Sequence, residues 1–317
     1  MNEILRIFKR TFKLFGYDLK KAGKFTLLPL QNQPDIHLKT VYNAFDQAKS
    51  PRKATSSSNL DKLLVIIRTC LRSNRNIDKR PRFTGASTQE TIYRCLRSTI
   101  RSINEAYQDK NNRQLEVIIL DDHSDEAYLL KIKELCQKLQ CPWRVQTTRQ
   151  TGQGNSLLEQ FELTKSLNTL CYFCEDDYLH EPSAIAEMWN FYRQMYDQTS
   201  GAHLVIHPQE CEFLYQTHYP SYIMAGERRH WRTMNHATHV LFTHSHVVKS
   251  YWHYFENTKY VGDLKKRQLG SESKTTNLLF KHIPGFCPIP AVAGHAQFEL
   301  TLPPCFDWQK IWEDNET

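Results

Sequence analysis

No apolar run in this 317-residue sequence is long enough to span a bilayer. The longest near the front, Leu63-Leu64-Val65-Ile66-Ile67, has the length of a strand. The N-terminal stretch lacks a secretory h-region and a small-residue cleavage site. Together these absences predict a cytoplasmic protein. The nine cysteines are odd in number and irregularly spaced, which excludes a disulfide framework and predicts reduced core residues. No internal repeat is present. Phosphate-loop patterns are missing too. The one candidate, Thr151-Gly152-Gln153-Gly154-Asn155-Ser156, has neither the Lys-Ser/Thr of a P-loop nor dinucleotide-fingerprint spacing. It reads as a helix start capped by Asn155 or Ser156. Charge of one sign is not extreme either. A net +7 suits an anionic ligand or surface and not a dedicated nucleic-acid binder.

What is present is globular. Hydrophobic residues make up 40% and aromatics 12%, enough for a sizeable core. Residues 2–15 place Ile4, Leu5, Phe8, Phe12 and Phe15 at helical spacing with Arg6, Lys9, Arg10 and Lys13 between them. That pattern serves either a basic amphipathic helix on a membrane surface or a helix docked on protein. Residues 47–59 read as a polar linker. The expected organisation is therefore an N-terminal segment 1–60, a main domain 61–300 and a tail 301–317.

Within the main domain strands and helices alternate. Leu63–Ile67, Leu115–Leu120, Trp143–Thr147 and 169–174 are short apolar strands. Helical periodicity marks 89–107, 126–139, 155–167 and 183–196. Strands buried on both faces and separated by helices imply an α/β fold with a mostly parallel sheet. Their C-terminal ends then share one edge, where open α/β sheets bind ligands.

Three of those strand ends are polar. The first ends in Arg68-Thr69, the second in Asp121-Asp122-His123-Ser124-Asp125 and the fourth in Glu175-Asp176-Asp177. Two acidic clusters on one edge are costly to desolvate unless a cation joins them. A divalent ion, Mn²⁺ or Mg²⁺, bridging a diphosphate fits, since hard cations take carboxylate, phosphate and water oxygens. An acidic tripeptide after a strand also suits a turn or a helix cap.

The order IIRTCLR (66–72), VIILDDHSDE (117–126), TGQGNS (151–156) and YFCEDDYLHEPSAI (172–185) resembles the inverting family 2 glycosyltransferases and their GT-A relatives. The resemblance covers 61–200 well and weakens towards 300. It implies a GT-A fold and transfer of a sugar from a nucleotide-diphosphate donor to a hydroxyl on a glycan, a lipid-linked saccharide or a protein. It implies that Thr69 and Asp122, with Asp121, contact the nucleoside. Asp177 is then the direct metal ligand, and Asp176 and Glu175 act through water or the ribose. A C-terminal histidine often joins the metal in such enzymes, and His295 in PIPAVAGH fits. The base is expected at an x-Glu-Asp helix start, for which Ser271-Glu272-Ser273 is the best match and Asp263 the second. Glu272 equally suits a helix dipole. Two departures stand out: His123 where glycine is usual, and an insert at 73–88. Arg72 opens the basic stretch Arg72–Arg82, which is placed to shape the nucleotide or acceptor site or to form a solvated loop. The stretch 226–246 carries Arg228, Arg229, Trp231, Arg232 and five histidines, suited to acceptor contacts or packing more than to zinc. Cys171 and Cys174 lie on alternating faces of one strand and read as core thiols.

Other classes remain. A sugar-phosphate nucleotidyltransferase needs a Gly-rich loop after its first strand, where this chain reads RTCLRSNRN. A binding module with a degraded site is kept open by Ser273. The missing QxxRW motif argues against a processive synthase.

Overall fold

The computed structural model describes residues 57–72, 85–108, 114–199, 201–210, 213–216, 221–297 and 302–316. The basic helix read over 2–15, most of the linker and most of the 73–88 insert lie outside these residues. The first half alternates as its periodicity demands. β1 (Lys62–Thr69) leads to α1 (Thr88–Gln108), β2 (Gln114–Asp121), α2 (Glu126–Cys136), β3 (Trp143–Thr147), α3 (Gln153–Glu162) and β4 (Leu170–Glu175). β5 (Tyr178–His180) and α4 (Ala184–Gln198) follow. The second half contributes shorter strands: β6 (Val205–Ile206), β7 (Ile223–Ala225), β8 (His230–Met234), β9 (Leu241–His244), β10 (Gly285–Ile289) and β11 (Ala293–His295).

Among the described residues nine strands form one sheet in the order β3-β2-β1-β4-β9-β6-β10-β8-β7. β3, β2, β1 and β4 are parallel neighbours. β9 and β8 run against the rest, and the other seven strands point one way. The mostly parallel α/β architecture expected from the sequence is therefore present. β11 pairs with β5 in a separate two-stranded ribbon.

Alternation along β1 explains why the register holds. Leu63, Val65 and Ile67 enter the core under α1, α2 and α4, while Leu64 and Ile66 enter the core on the opposite face. Slipping by one residue would exchange the two sets. The same alternation puts Cys174 in the first core and Cys171 in the second. The two thiols thus sit on opposite faces, as core residues. α1 supplies Ile92, Leu96, Ile100 and Ile103 to the first core, and its first turn is capped by Ser87, whose hydroxyl accepts the Glu90 amide at 3.1 Å.

Three local expectations are corrected. α3 starts at Gln153, and Gly152 stands at its cap position with φ +113, a conformation that favours glycine. Asn155 bonds the Thr151 carbonyl and Ser156 the Gln153 carbonyl, so neither caps the helix. The run 272–281 forms two 3₁₀ turns, Glu272–Lys274 and Thr276–Lys281, in place of one α-helix. Residues 302–316, set apart as a tail by sequence, dock on α1 through α5 (Trp308–Glu313). Ile311 and Trp312 are buried with Cys95, and the Arg94 guanidinium lies 4.4 Å above the Trp312 ring. At the other boundary Trp189 donates to the Leu60 carbonyl at 2.7 Å. No described helix is long and apolar enough to cross a membrane.

Gly154 has a packing reason. A Cβ there would stand 2.4 Å from the Lys259 carbonyl oxygen and 2.7 Å from that of Val261. Backbone cannot move aside as a flexible side chain can. Gly154→Ala is expected to destabilise the fold by about 1–3 kcal/mol, the usual cost of overpacking. A denaturant melt that matched the wild type would contradict this close approach.

Candidate active site

The parallel register carries the site. Thr69 at the end of β1 pairs with Asp121, and Arg68 pairs with Glu175. Three strand ends thus meet at the rim of one cleft of about 670 Å³. Thr69, Arg72, Asp122, Glu175, Asp176, Asp177, Glu272 and His295 all line it. These are eight of the ten residues singled out by sequence; Asp121 and Asp263 do not line it.

The acids divide by environment. Asp176 turns into the seam between β1 and β4: the Thr69 hydroxyl donates to its Oδ2 at 2.6 Å and the Cys70 amide at 3.3 Å. Burial and then the neighbouring Asp177 charge push its carboxyl up to about 7, against the Thr69, Cys70 and Arg68 contacts that favour the ion. Asp122 is held from two sides. Arg72 Nη2 lies 3.0 Å from its Oδ1, and the Gly152 amide donates to both oxygens at 3.0 and 3.1 Å. Asp121 has another task. Its carboxylate accepts the Ser124 amide at 3.1 Å and so closes the strand-end turn. Of the pair read from sequence for nucleoside contacts, Asp122 lines the cleft and Asp121 does not. His123, which follows the pair, has φ +55. Glycine adopts that left-handed backbone most easily, and histidine tolerates it.

Asp177 and His295 come together although 118 positions separate them. β11 pairs antiparallel with β5, placing His295 opposite Tyr178. The two rings stack at 4.8 Å, 7° from parallel. The Ala296 amide donates to the Asp177 carbonyl at 2.8 Å, and the His295 amide to Gln209 Oε1 at 2.7 Å. His295 Nε2 then lies 3.1 Å from Asp177 Oδ2. One ligand atom each from Glu175, Asp177 and His295 falls within 4.8 Å of the others. Two carboxylates and one imidazole form a donor set that suits a divalent ion of the manganese or magnesium type. Glu175, and not Asp176, supplies the second carboxylate of this group, and Asp176 is held in the strand seam. Arg68 is the neighbouring cation: it ion-pairs with Glu175, and its Nη1 donates to Ser156 at 3.2 Å.

Glu272 lines the same cleft. Asp263 accepts the Lys265 and Lys266 amides at 2.8 and 3.1 Å and serves its own turn. Sequence reasoning missed the α1 start, where Ser87, Thr88 and Gln89 face the cleft; His239, one of the five histidines of 226–246 read for acceptor contacts or packing, lines it too. The capping pattern of Ser87 and Glu90 was the available signal for that start. The stretch 226–246 proves mostly structural. Arg229 pairs with Glu181 at 2.7 Å and with Glu187 at 2.5 Å. Trp231 stacks on Phe191 at 4.1 Å, and Arg232 bonds Ser221 at 3.0 Å. His244 and His246 lie near His203. Ser58 bonds both His203 and His246 at 3.3 Å, the His246 amide donates to His244 Nδ1, and His203 stacks on His244. These contacts fit packing.

A parallel-centred sheet with two acidic strand ends and a histidine returned over them defines a nucleotide-sugar type of α/β protein, the GT-A fold. The family model for glycosyl transferase family 2 matches residues 87–255, and the chain belongs to that family. No curated protein matches the sequence significantly. Among solved structures the chain is similar to TarS 1–349 of S. aureus in complex with UDP. That match has 13% identity and a TM-score of 0.41, and it covers 72% of this chain and 57% of the other. The same protein with UDP-GlcNAc gives 12% identity, coverages of 63% and 53% and a TM-score of 0.36. The mannosyltransferase PcManGT of Pyrobaculum calidifontis, in complex with GDP-Man and Mn²⁺, gives 12%, 68%, 55% and 0.30. The chain thus spans little more than half of these matched chains, and 34% of the longer TarS chain.

The raised Asp176 carboxyl has a stability consequence. In the unfolded chain it titrates near 3.8 and in the fold near 7. Between those values the native state holds the extra proton, so stability falls as pH rises through this window. In metal-free protein Asp176→Asn is expected to raise Tm by at least about 2 °C at pH 8, with the gain vanishing towards pH 4. An equal gain at both pH values would contradict the burial argument.

Proposed function

We propose that the protein is a glycosyltransferase that moves a sugar from a nucleotide-diphosphate donor to a hydroxyl acceptor, inverting the anomeric carbon in a single displacement. The observation that carries this reading is the convergence of Glu175, Asp177 and His295 beside Asp122 in one cleft. Asp122, fixed by Arg72 and the Gly152 amide, presents a carboxylate to ribose or base hydroxyls. Asp177 and His295, with Glu175, hold Mn²⁺ or Mg²⁺. When bound, that ion neutralises the diphosphate as it leaves. The N-terminus of α1 faces the same cleft through Ser87, Thr88 and Gln89 and favours an anion there.

Glu272 acts as the base. It takes the acceptor proton while the acceptor oxygen bonds the anomeric carbon, and the bond from that carbon to the diphosphate breaks. The donor sugar is of the hexosyl or N-acetylhexosaminyl type. The acceptor is a glycan, a lipid-linked saccharide or a protein hydroxyl. The buried thiols of Cys95, Cys136, Cys141, Cys171, Cys174 and Cys287 support a cytoplasmic setting. Residues 2–15 offer a peripheral membrane contact, by their sequence pattern alone.

UDP and GDP, each with and without Mn²⁺, test the donor site by thermal shift. A nucleotide at a hundredfold excess over Kd stabilises the native state by about 2.7 kcal/mol. The wild type is expected to gain this only with Mn²⁺, and Asp177→Ala to lose the metal-dependent part. Metal-dependent binding that survived in Asp177→Ala would move the metal elsewhere. Absence of turnover across UDP-, GDP- and dTDP-sugars would leave a binding module.

A further inference from the structure

Between Val261 and Glu272, which both line the cleft, the chain leaves the cleft wall and returns to it. The two ends of this excursion are clamped together. A Cβ on Gly270 would stand 2.4 Å from the Val261 nitrogen, so the returning backbone lies directly on the outgoing one. Gly154 of α3 packs on the same stretch, against the Lys259 and Val261 carbonyls. Inside the clamp Gly262, at φ +83, turns the chain, and Asp263 accepts the Lys265 and Lys266 amides at 2.8 and 3.1 Å. The loop 261–270 is thus shaped by its own hydrogen bonds, and what it presents is apolar and basic. Leu264 is 88% exposed and Leu269 50%, and Lys265 and Lys266 are exposed between them.

A single exposed leucine is ordinary; its surroundings here are not. Lys259 and Lys266 stand over the Tyr260 ring at 5.2 and 5.1 Å, and Lys165 stands over the Trp252 ring at 4.1 Å. Tyr and Trp rings set among lysines are the side chains of a membrane–water interface, where an apolar body meets a charged tip. Residues 248–281 carry seven Lys and Arg against three Asp and Glu, so this segment is strongly basic in a chain of net +7. A protein partner needs about 800 Å² of complementary surface on each side. A leucine that stands 88% clear of its own chain at a loop tip suits a fluid surface better, because lipid closes around a single protruding group.

We propose that the loop 261–270 docks on an anionic lipid bilayer: Leu264 enters the boundary between headgroups and acyl chains, and Lys265 and Lys266 pair with lipid phosphates. Burial of the leucine and attraction of the lysines add, and together they give reversible binding at the surface. This contact is separate from residues 2–15 and does not depend on the transferase reading. Combined with that reading it favours, among the three acceptor classes, the lipid-linked saccharide, since the loop is rooted in the cleft wall at Val261 and Glu272.

The test is sedimentation of the full chain with sucrose-loaded vesicles, one set of phosphatidylcholine alone and one of phosphatidylcholine with phosphatidylglycerol at about 7:3. The wild type is expected to bind the anionic vesicles, to leave the neutral ones, and to release when salt is raised. Leu264→Ser, and separately Lys265→Gln with Lys266→Gln, should each lower the partition coefficient by about tenfold. These side chains are exposed, so the melting midpoint should not move, which separates lost binding from lost folding. Leu264→Trp should add a component to the emission spectrum that shifts to the blue on anionic vesicles. Phe8→Ser with Phe12→Ser reports on the N-terminal segment. Wild-type binding to neither vesicle, or equally to both, overturns the proposal. So does wild-type affinity in the loop variants, including the case where the Phe8 and Phe12 substitutions abolish binding, which assigns the contact to residues 2–15. A loss in the lysine pair with none in Leu264→Ser overturns it as well, since attraction to any polyanion then accounts for the binding. An unshifted Leu264→Trp emission removes the insertion directly.

Discussion

Asp176 sits at the seam where β1 and β4 end, and the rest of the site depends on how its carboxylate is held there. Its carboxyl is drawn back from solvent, which is costly to the charged form unless donors replace the water. The Thr69 hydroxyl and the Cys70 amide do so, both from the end of β1. The bond that stabilises the carboxylate therefore also ties two strand ends together. It fixes where Glu175 and Asp177, its chain neighbours, emerge. The parallel pairing of β1 with β2 brings the Asp121 turn alongside, and the Asp122 amide donates to the Thr69 carbonyl at 2.8 Å.

Acidic and basic groups crowd these strand ends, and each keeps a distinct place because its partners differ. Arg68 balances Glu175, and Arg72 balances Asp122. Asp121 closes a turn. Asp177 faces His295 across a distance that a hydrogen bond or a shared cation spans equally well. Chemically identical side chains one residue apart have thus been sorted into scaffold and binding groups by which backbone amides they meet.

The second half of the chain delivers its groups by a different route. β11 returns along β5 and carries His295 over the strand ends. The turn at 272–277 is clamped to the 237–239 stretch and brings Glu272 to the cleft. α5 docks on α1 and buries Trp312. Long-range pairing of this kind makes the site a product of the whole domain, not of one motif.

The sequence by itself determined the alternation of strands and helices through 61–200, the sheet edge where the cleft lies, and the identity of most residues that line it. Apolar periodicity and strand length are local properties, and each buried strand states its own register through the faces it must cover. Trp143–Thr147 came out with the same bounds, and Leu63–Ile67 lacked only its polar ends. Tertiary structure decided what periodicity does not encode: which of Asp121 and Asp122 faces the cleft, and that Arg229 and Trp231 brace the core. It also decided that the 272–281 run breaks into two turns, and that His239 lines the cleft. Those outcomes depend on side-chain direction in turns, and that direction is set by partners tens to hundreds of positions away.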